Sequence, residues 1–134
     1  MKIESLIKKF ETLSRKDRNK TAFFAAEIVL PIYESYFPGD DRIRKAIESG
    51  KKAPLANTAR QWPDESYEAA YAANTNANYA AARAAYAAAY AAANAYDDYD
   101  GANAAAAIKR AIKAGAKKKT IYDFMCRLNQ QQGK

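Results

Sequence analysis

The stretch FFAAEIVL, residues 23–30, is apolar at every position except Glu27. A helix that is apolar on all sides has no stripe to present to water, so other helices must surround it. We therefore predict a central, buried helix from about Asp17 to Tyr36. Pro31 lies inside it and cannot donate a hydrogen bond to the carbonyl four residues earlier, so we expect a kink between Glu27 and Pro31.

Amphipathic segments flank this central helix. In the N-terminal segment the apolar residues fall on one helical face, namely Ile3, Leu6, Ile7, Phe10 and Leu13. Residues 14–17 then break the helix and offer a cap for the next one. After the turn at residues 37–40, the pattern predicts a short third helix over residues 41–49, with Gly50 just beyond its C-terminal end.

Two further helices are predicted near the C-terminus. The first covers residues 102–114, and Gly115 interrupts it. Thr120 followed three residues later by Asp123 is similar to a capping box, which places the start of the last helix there. The apolar anchors of these two helices are Ile108, Ile112, Ile121, Phe124, Met125 and Leu128.

Residues 63–96 form an unusual segment that contains 17 Ala and 6 Tyr. Ala is the strongest helix former, so the segment predicts a long helix, which would span about 50 Å if unbroken. A break near residues 74–78, a run of weaker helix formers, stays open. On a helical projection all six Tyr fall within an arc of about 140°, with Arg83 at its edge and Ala opposite.

These patterns predict an all-α protein with a single domain over residues 1–134. We expect a bundle of five to six helices with the Ala/Tyr-rich helix as its spine. Residues 1–10 mix Lys and Glu with apolar side chains, so we expect no signal peptide. Arg83 and Asn94 interrupt the Ala/Tyr-rich segment and argue against a membrane span. A soluble, cytoplasmic protein is the expectation.

Composition argues against an enzyme. The chain contains no His, which removes the commonest general base and metal ligand. Cys126 is the single Cys, so it has neither a disulfide partner nor an activating His. The acidic run at residues 97–101 fails as a calcium loop because its first and twelfth ligand positions would be Tyr96 and Ala107. We predict no catalytic residue, no metal and no cofactor.

Two stretches carry a resemblance to a known family. The first reads AFFAAE at residues 22–27, VLPIYE at 29–34 and FPGDDRIRKAIE at 37–48, and the second is the Ala/Tyr-rich segment. Over residues 22–114 the chain resembles the Ala-rich immunity-protein family of bacteria and their phages. Many relatives carry His in the Ala-rich helix where this chain has Tyr, Asn or Asp, so no role of that His carries over.

The resemblance implies a non-enzymatic inhibitor that binds and blocks a protein partner, either a toxin or a host defence factor. Tyr and Arg are enriched at binding hot spots. The candidate partner-binding residues are therefore Tyr79, Arg83, Tyr86 and Tyr90 on the Tyr arc, and Arg42 and Arg44 in the motif. For Asp40 and Asp41 we favour a helix-capping role. Monomer and homodimer both stay open, including self-assembly through the Ala and Tyr faces.

Charge distribution supports an alternative function. Residues 1–52 hold 12 basic and 8 acidic groups, residues 53–100 hold 2 and 6, and residues 101–134 hold 8 and 1. A basic C-terminal quarter is typical of a nucleic-acid-binding protein, although a solvated face that maintains solubility would look the same. The candidate nucleic-acid-binding residues are Lys109, Arg110, Lys113, Lys117, Lys118 and Lys119, with Arg127 beside them.

Overall fold

The computed structural model describes residues 1–52 and 102–132, apart from the side chains at 15, 46, 49–52, 102, 103 and 129–132. The described residues form helices and no strand, which confirms the all-α fold. The Ala/Tyr-rich helix, including its break near residues 74–78, lies outside them. The helices are α1 (Ile3–Glu11), α2 (Arg15–Tyr36), α3 (Arg42–Lys52), α4 (Ala102–Lys113) and α5 (Lys118–Gln132).

Helix α2 is the centre of the described bundle, as its all-round apolar sequence predicts. It packs against α3, α4 and α5, and α1 packs against α5. Its buried apolar side chains include Phe23, Ala25, Ala26, Val29 and Leu30. Helix α2 continues through Pro31, whose ring is exposed to solvent. None of the described helices has both the length and the apolar character that crossing a bilayer requires.

The start of α2 follows the predicted break. Ser14 is the N-cap residue, and its Oγ accepts a hydrogen bond from the amide of Asp17 at 3.2 Å. This bond satisfies one of the amides that have no partner in the first turn of a helix. One turn later the buried hydroxyl of Thr21 donates to the carbonyl of Asp17 at 2.8 Å. The hydroxyls of Ser14 and Thr21 therefore both bond to the backbone of α2.

Helix α5 packs the predicted apolar stripe into the core. Ile121, Met125 and Leu128 are buried. Phe124 is half-buried and stacks on Phe24 of α2, with ring centroids 4.1 Å apart and planes 6° from parallel. The aromatic pair adds a directional contact between the two helices to the apolar area that they bury.

Two predicted helix boundaries were wrong. Helix α3 continues through Gly50 to Lys52, because a single Gly costs a helix only about 1 kcal/mol and ends it only in a left-handed conformation. Helix α5 begins at Lys118, so Thr120 lies in its first turn and is not the N-cap. The cause is the turn before it. Gly115 has φ +122°, and the amide of Ala116 donates to the carbonyl of Ala111 at 3.0 Å.

That turn is a Schellman motif, completed by a second bond from the Gly115 amide to the carbonyl of Ile112 at 3.0 Å. It ends α4 within three residues after Lys113. Ala116 is buried, as the apolar residue that follows the left-handed Gly commonly is. Because the turn is complete at Ala116, a new helix can start at once.

Substitution of Ile108 tests the packing of α4 in the core. Ile108 is 0% exposed, whereas Ile112, one turn later in α4, is half-buried. Ile108→Ala should lower the free energy of unfolding by about 2–5 kcal/mol, because it leaves a cavity in the core. Ile112→Ala should cost only about 1 kcal/mol, because less apolar area returns to water. Urea unfolding followed by circular dichroism would measure both, and equal losses would contradict the assigned packing.

Candidate functional site

The predicted site residues that the structure describes lie in two places, at the junction of α2 with α3 and at the junction of α4 with α5. Arg42 and Arg44 lie in the first turn of α3, at the α2–α3 corner. The basic residues from Lys109 to Lys119 lie along α4, in the Schellman turn and in the first turn of α5. Tyr79, Arg83, Tyr86 and Tyr90 lie outside the described residues.

The α2–α3 corner consists of a tight turn that reverses the chain after Tyr36. Gly39 has φ +92°, a left-handed conformation that side chains disfavour. A Cβ at this position would meet nothing within 4 Å, so the backbone angle and not space selects Gly. The amide of Asp40 donates to the carbonyl of Phe37 at 3.1 Å and closes the turn. The turn brings Asp40 back against the last turns of α2.

Asp40 organises the corner by accepting four hydrogen bonds. Its Oδ1 accepts from the backbone amide of Arg42 at 3.2 Å and from Arg42 Nε at 3.0 Å. Its Oδ2 accepts from Arg42 Nη2 at 2.8 Å and from the hydroxyl of Tyr33. The carboxylate therefore caps α3, holds the guanidinium in a two-pronged pair and anchors α3 to α2. This agrees with the capping role favoured from the sequence.

Electrostatics fix the charge state of this network. Hydrogen bonds from Arg42 lower the pKa of Asp40 from 3.8 to about 2. The same bonds raise the pKa of Arg42 above its usual value. Burial, and then the hydrogen bond to Asp40, raise the pKa of Tyr33. Tyr33 therefore stays neutral and donates its proton, while Asp40 and Arg42 stay charged at every physiological pH.

A second ion pair links the two helices further from the turn. Arg44 Nε donates to Glu34 Oε2 at 2.8 Å, and Nη2 donates to Oε1. The hydrogen bonds to Glu34 raise the pKa of Arg44. The side chain of Arg44 is still 49% exposed, so its outer edge faces solvent. Tyr36, in the last turn of α2, is 52% exposed.

Both predicted arginines of the corner therefore have structural partners within the chain. Sequence reasoning identified Arg42 and Arg44 but missed Tyr33, which donates to Asp40, and Glu34, which accepts from Arg44. No single sequence pattern points to Tyr33 and Glu34. They can be found only by combining the predicted turn with the two helices that it joins. The turn at residues 37–40 makes the helices adjacent and antiparallel, which brings the end of α2 opposite the start of α3.

The second site is the basic corner, which we define as Lys109, Arg110, Lys113, Lys117, Lys118 and Lys119. Lys109, Lys113, Lys117 and Lys119 are exposed, and Arg110 and Lys118 are half-buried. Lys119 pairs with Asp123 at 3.1 Å, one turn later on α5. Further along the same face, the guanidinium of Arg127 lies 5.9 Å from the ring centroid of Phe124.

Metal-binding and nucleophilic groups do not converge in the described residues. Within residues 1–52 and 102–132, no three of His, Cys, Asp and Glu come close enough to hold a metal ion. Cys126 is a half-buried free thiol on α5. The arrangement at both corners is suited to contacts with a partner: one corner is rigid and aromatic, and the other is strongly basic.

Comparison with known proteins gave no match to a family model, to a curated protein or to a solved structure. The resemblance to immunity proteins, the inhibitor function and the nucleic-acid alternative therefore stay predictions.

The acid dependence of stability tests the Asp40 network. A depressed pKa contributes stability that is present above the unfolded value of 3.8 and is lost as the pH falls through about 2. We expect Asp40→Asn to lower the free energy of unfolding near neutral pH. The difference in free energy of unfolding from wild type should shrink by on the order of 1–2 kcal/mol between pH 5 and pH 1.5, as Asp40 of the wild type becomes protonated. The change is no larger because Arg42 is partly exposed and solvent screens the ion pair.

Asp41→Asn is the matched control. The side chain of Asp41 is 58% exposed, and within residues 1–52 and 102–132 it pairs with Lys45 alone, one turn away, at 3.1 Å. Urea titrations of both variants across this pH range should show a pH-dependent difference from wild type for Asp40→Asn alone. A difference that stays constant down to pH 1.5 would mean that Arg42 does not hold Asp40 in its charged form.

Proposed function

We propose that this protein is a non-enzymatic inhibitor that binds and blocks a protein partner, either a toxin or a host defence factor, in the cytoplasm. The observation that supports this proposal is the α2–α3 corner. It coincides with residues 37–48, the stretch that carries the resemblance to immunity proteins. The corner joins a fixed backbone turn to exposed aromatic and guanidinium groups.

Rigidity is the property of this corner that favours binding. Association loses affinity when side chains and loops must be ordered at the interface. Here Arg42 and Arg44 are already held by the hydrogen bonds that they donate to Asp40 and Glu34, and Tyr33 stacks on Phe37 with ring centroids 4.9 Å apart. Docking of a partner on this corner would therefore order few additional side chains, and little affinity would be lost to that ordering.

The exposed chemistry of the corner matches that of protein interfaces. Such interfaces place aromatic and Arg side chains at the centre and polar groups at the rim. Tyr36 is the exposed aromatic group, and the outer edge of Arg44 is the exposed guanidinium. The exposed pair Asp41 and Lys45 supplies a polar rim. A partner with acidic and aromatic groups of its own would complement this surface.

The Tyr arc of the Ala/Tyr-rich segment is the second part of the proposed interface. Its support comes from the sequence, which places Tyr79, Tyr86 and Tyr90 with Arg83 on one side of a predicted helix. Tyr offers a large contact area with only two side-chain torsions to fix, and Arg83 offers a planar cation that stacks on aromatic rings.

Capture of the partner tests the proposal. Tagged protein, incubated with nuclease-treated bacterial lysate, should retain a discrete protein in a stoichiometric complex that survives moderate salt. Tyr36→Ala and Arg44→Glu should each weaken the complex at least tenfold, the loss expected of a hot-spot residue. Titration calorimetry with the purified partner would measure the change.

Arg127→Glu is the control for Arg44→Glu. It makes the same change of charge at another exposed Arg, on α5. It should bind the partner like wild type, and thermal melting should show all three variants folded. A complex that both Arg→Glu variants weaken equally would depend on net charge alone, and a complex that none of the variants weakens would place the interface elsewhere. Arg83→Glu would then test the Tyr arc.

A further inference from the structure

The basic corner is unlike the α2–α3 corner in how its charges are neutralised. Arg42 and Arg44 each have a carboxylate partner across the α2–α3 turn. In residues 102–132 there are seven basic groups and one acidic group, Asp123. Asp123 pairs with Lys119. Within the described part of the chain, Lys109, Lys117 and Lys118 form no ion pair.

The fold concentrates these charges. Lys109 and Lys113 are one turn apart and exposed on α4. The Schellman turn then ends α4, and α5 begins soon after it with Lys118 and Lys119. The turn thus joins the basic end of one helix to the basic start of the next, with Lys117 exposed between them.

The position of Lys118 and Lys119 argues against a merely solubilising face. The N-terminus of a helix carries partial positive charge, so cations in its first turn are unfavourable. Helix α5 has no acidic residue in its first turn to offset them. Lysines that served only solubility would be more favourable in the last turn of a helix, near its C-terminal partial negative charge. Lys113 has such a position in the last turn of α4. A bound polyanion would relieve this unfavourable arrangement.

We propose that the basic corner is a second binding surface, which takes the phosphate backbone of a nucleic acid. Successive phosphates supply closely spaced negative charge that Lys and Arg neutralise with release of counterions. The six basic groups of the corner meet that requirement, with four exposed and two half-buried side chains on two helices and the turn between them. Contacts of this kind read no base, so the binding is independent of sequence and strongly dependent on salt.

The test compares two triple variants of equal charge. Lys117→Gln, Lys118→Gln and Lys119→Gln together remove the turn and first-turn charges of the corner. Lys8→Gln, Lys16→Gln and Lys20→Gln together remove three exposed charges from α1 and α2. Fluorescence anisotropy would measure affinity for duplex DNA of about 20 base pairs and for single-stranded RNA of similar length, from about 50 to 200 mM salt.

Wild type should bind at least one of these probes, with affinity that falls steeply as salt rises. The corner variant should lose at least tenfold in affinity, and its slope against the logarithm of salt should fall by about 2 to 3, close to 0.9 for each phosphate contact removed. The control variant should stay within about threefold of wild type. Binding to DNA, RNA or both supports the proposal and identifies which nucleic acid supplies the phosphates.

Four outcomes would overturn the proposal. They are absence of binding to either probe at 50 mM salt, unchanged affinity in the corner variant, an equal loss in both variants, and equal affinity for poly-glutamate. The last would assign the corner to an acidic protein. The thermal midpoint of the corner variant should equal or exceed that of wild type, because it loses cations from the first turn of α5. This test uses no residue of the α2–α3 corner. The nucleic-acid proposal can therefore fail while the proposed inhibitor function holds, and the inhibitor function can fail while nucleic-acid binding holds.

Discussion

The burial of α2 is the constraint on which the rest of the described structure depends. Its segment FFAAEIVL offers almost no polar face, so α3, α4 and α5 must all lie against it. Its small residues, Ala22, Ala25 and Ala26, allow close approach, while Phe23, Val29 and Leu30 fill the space between helices. The Phe24–Phe124 stack then ties α2 to α5 at the rim of the core. Each neighbouring helix needs only one apolar stripe, which is what their sequences provide.

The same helix also sets the chemistry of the α2–α3 corner. Tyr33 is buried to 1% exposure near the end of α2, and a buried phenol must find a hydrogen-bond partner. Asp40 is that partner: its Oδ2 accepts from the hydroxyl of Tyr33, and its Oδ1 accepts from Arg42 Nε. One carboxylate therefore bonds to a buried residue and to a surface residue. The conformation of the exposed corner is thereby coupled to the packing of α2. Arg42 is held by a carboxylate that also bonds to the buried Tyr33, whereas Arg44 is held by Glu34, whose side chain is 28% exposed.

Periodicity in the sequence predicted the helices well, and local rules predicted their ends unevenly. The stripes in α1 and α5 and the central position of α2 follow from the spacing of apolar residues, which tertiary packing reinforces. The break at residues 14–17 was predicted together with a cap, because capping acts within one turn, and the structure identifies Ser14 as the capping residue. The predicted helix boundaries at Gly50 and Thr120 were wrong. Whether Gly50 ends a helix depends on its backbone angle, and whether Thr120 caps one depends on the preceding turn, and residue type determines neither. Tyr33 and Glu34 were missed because their bonds join two helices across a turn.

The contrast between the two corners follows from where the chain places its acids. At the α2–α3 corner, acidic residues at the end of α2 and in the turn precede basic residues at the start of α3, so folding pairs them and the positive charge is held in fixed bonds. Residues 102–132 contain one acid, Asp123, which lies beyond the first turn of α5, so within this part of the chain the six cations of the basic corner have a single carboxylate beside them. Repulsion among exposed lysines is weak in water and screened by salt, so the fold tolerates it. These two arrangements of charge, one held in ion pairs and one with a single acid within residues 102–132, are the features on which the two proposed binding functions rest.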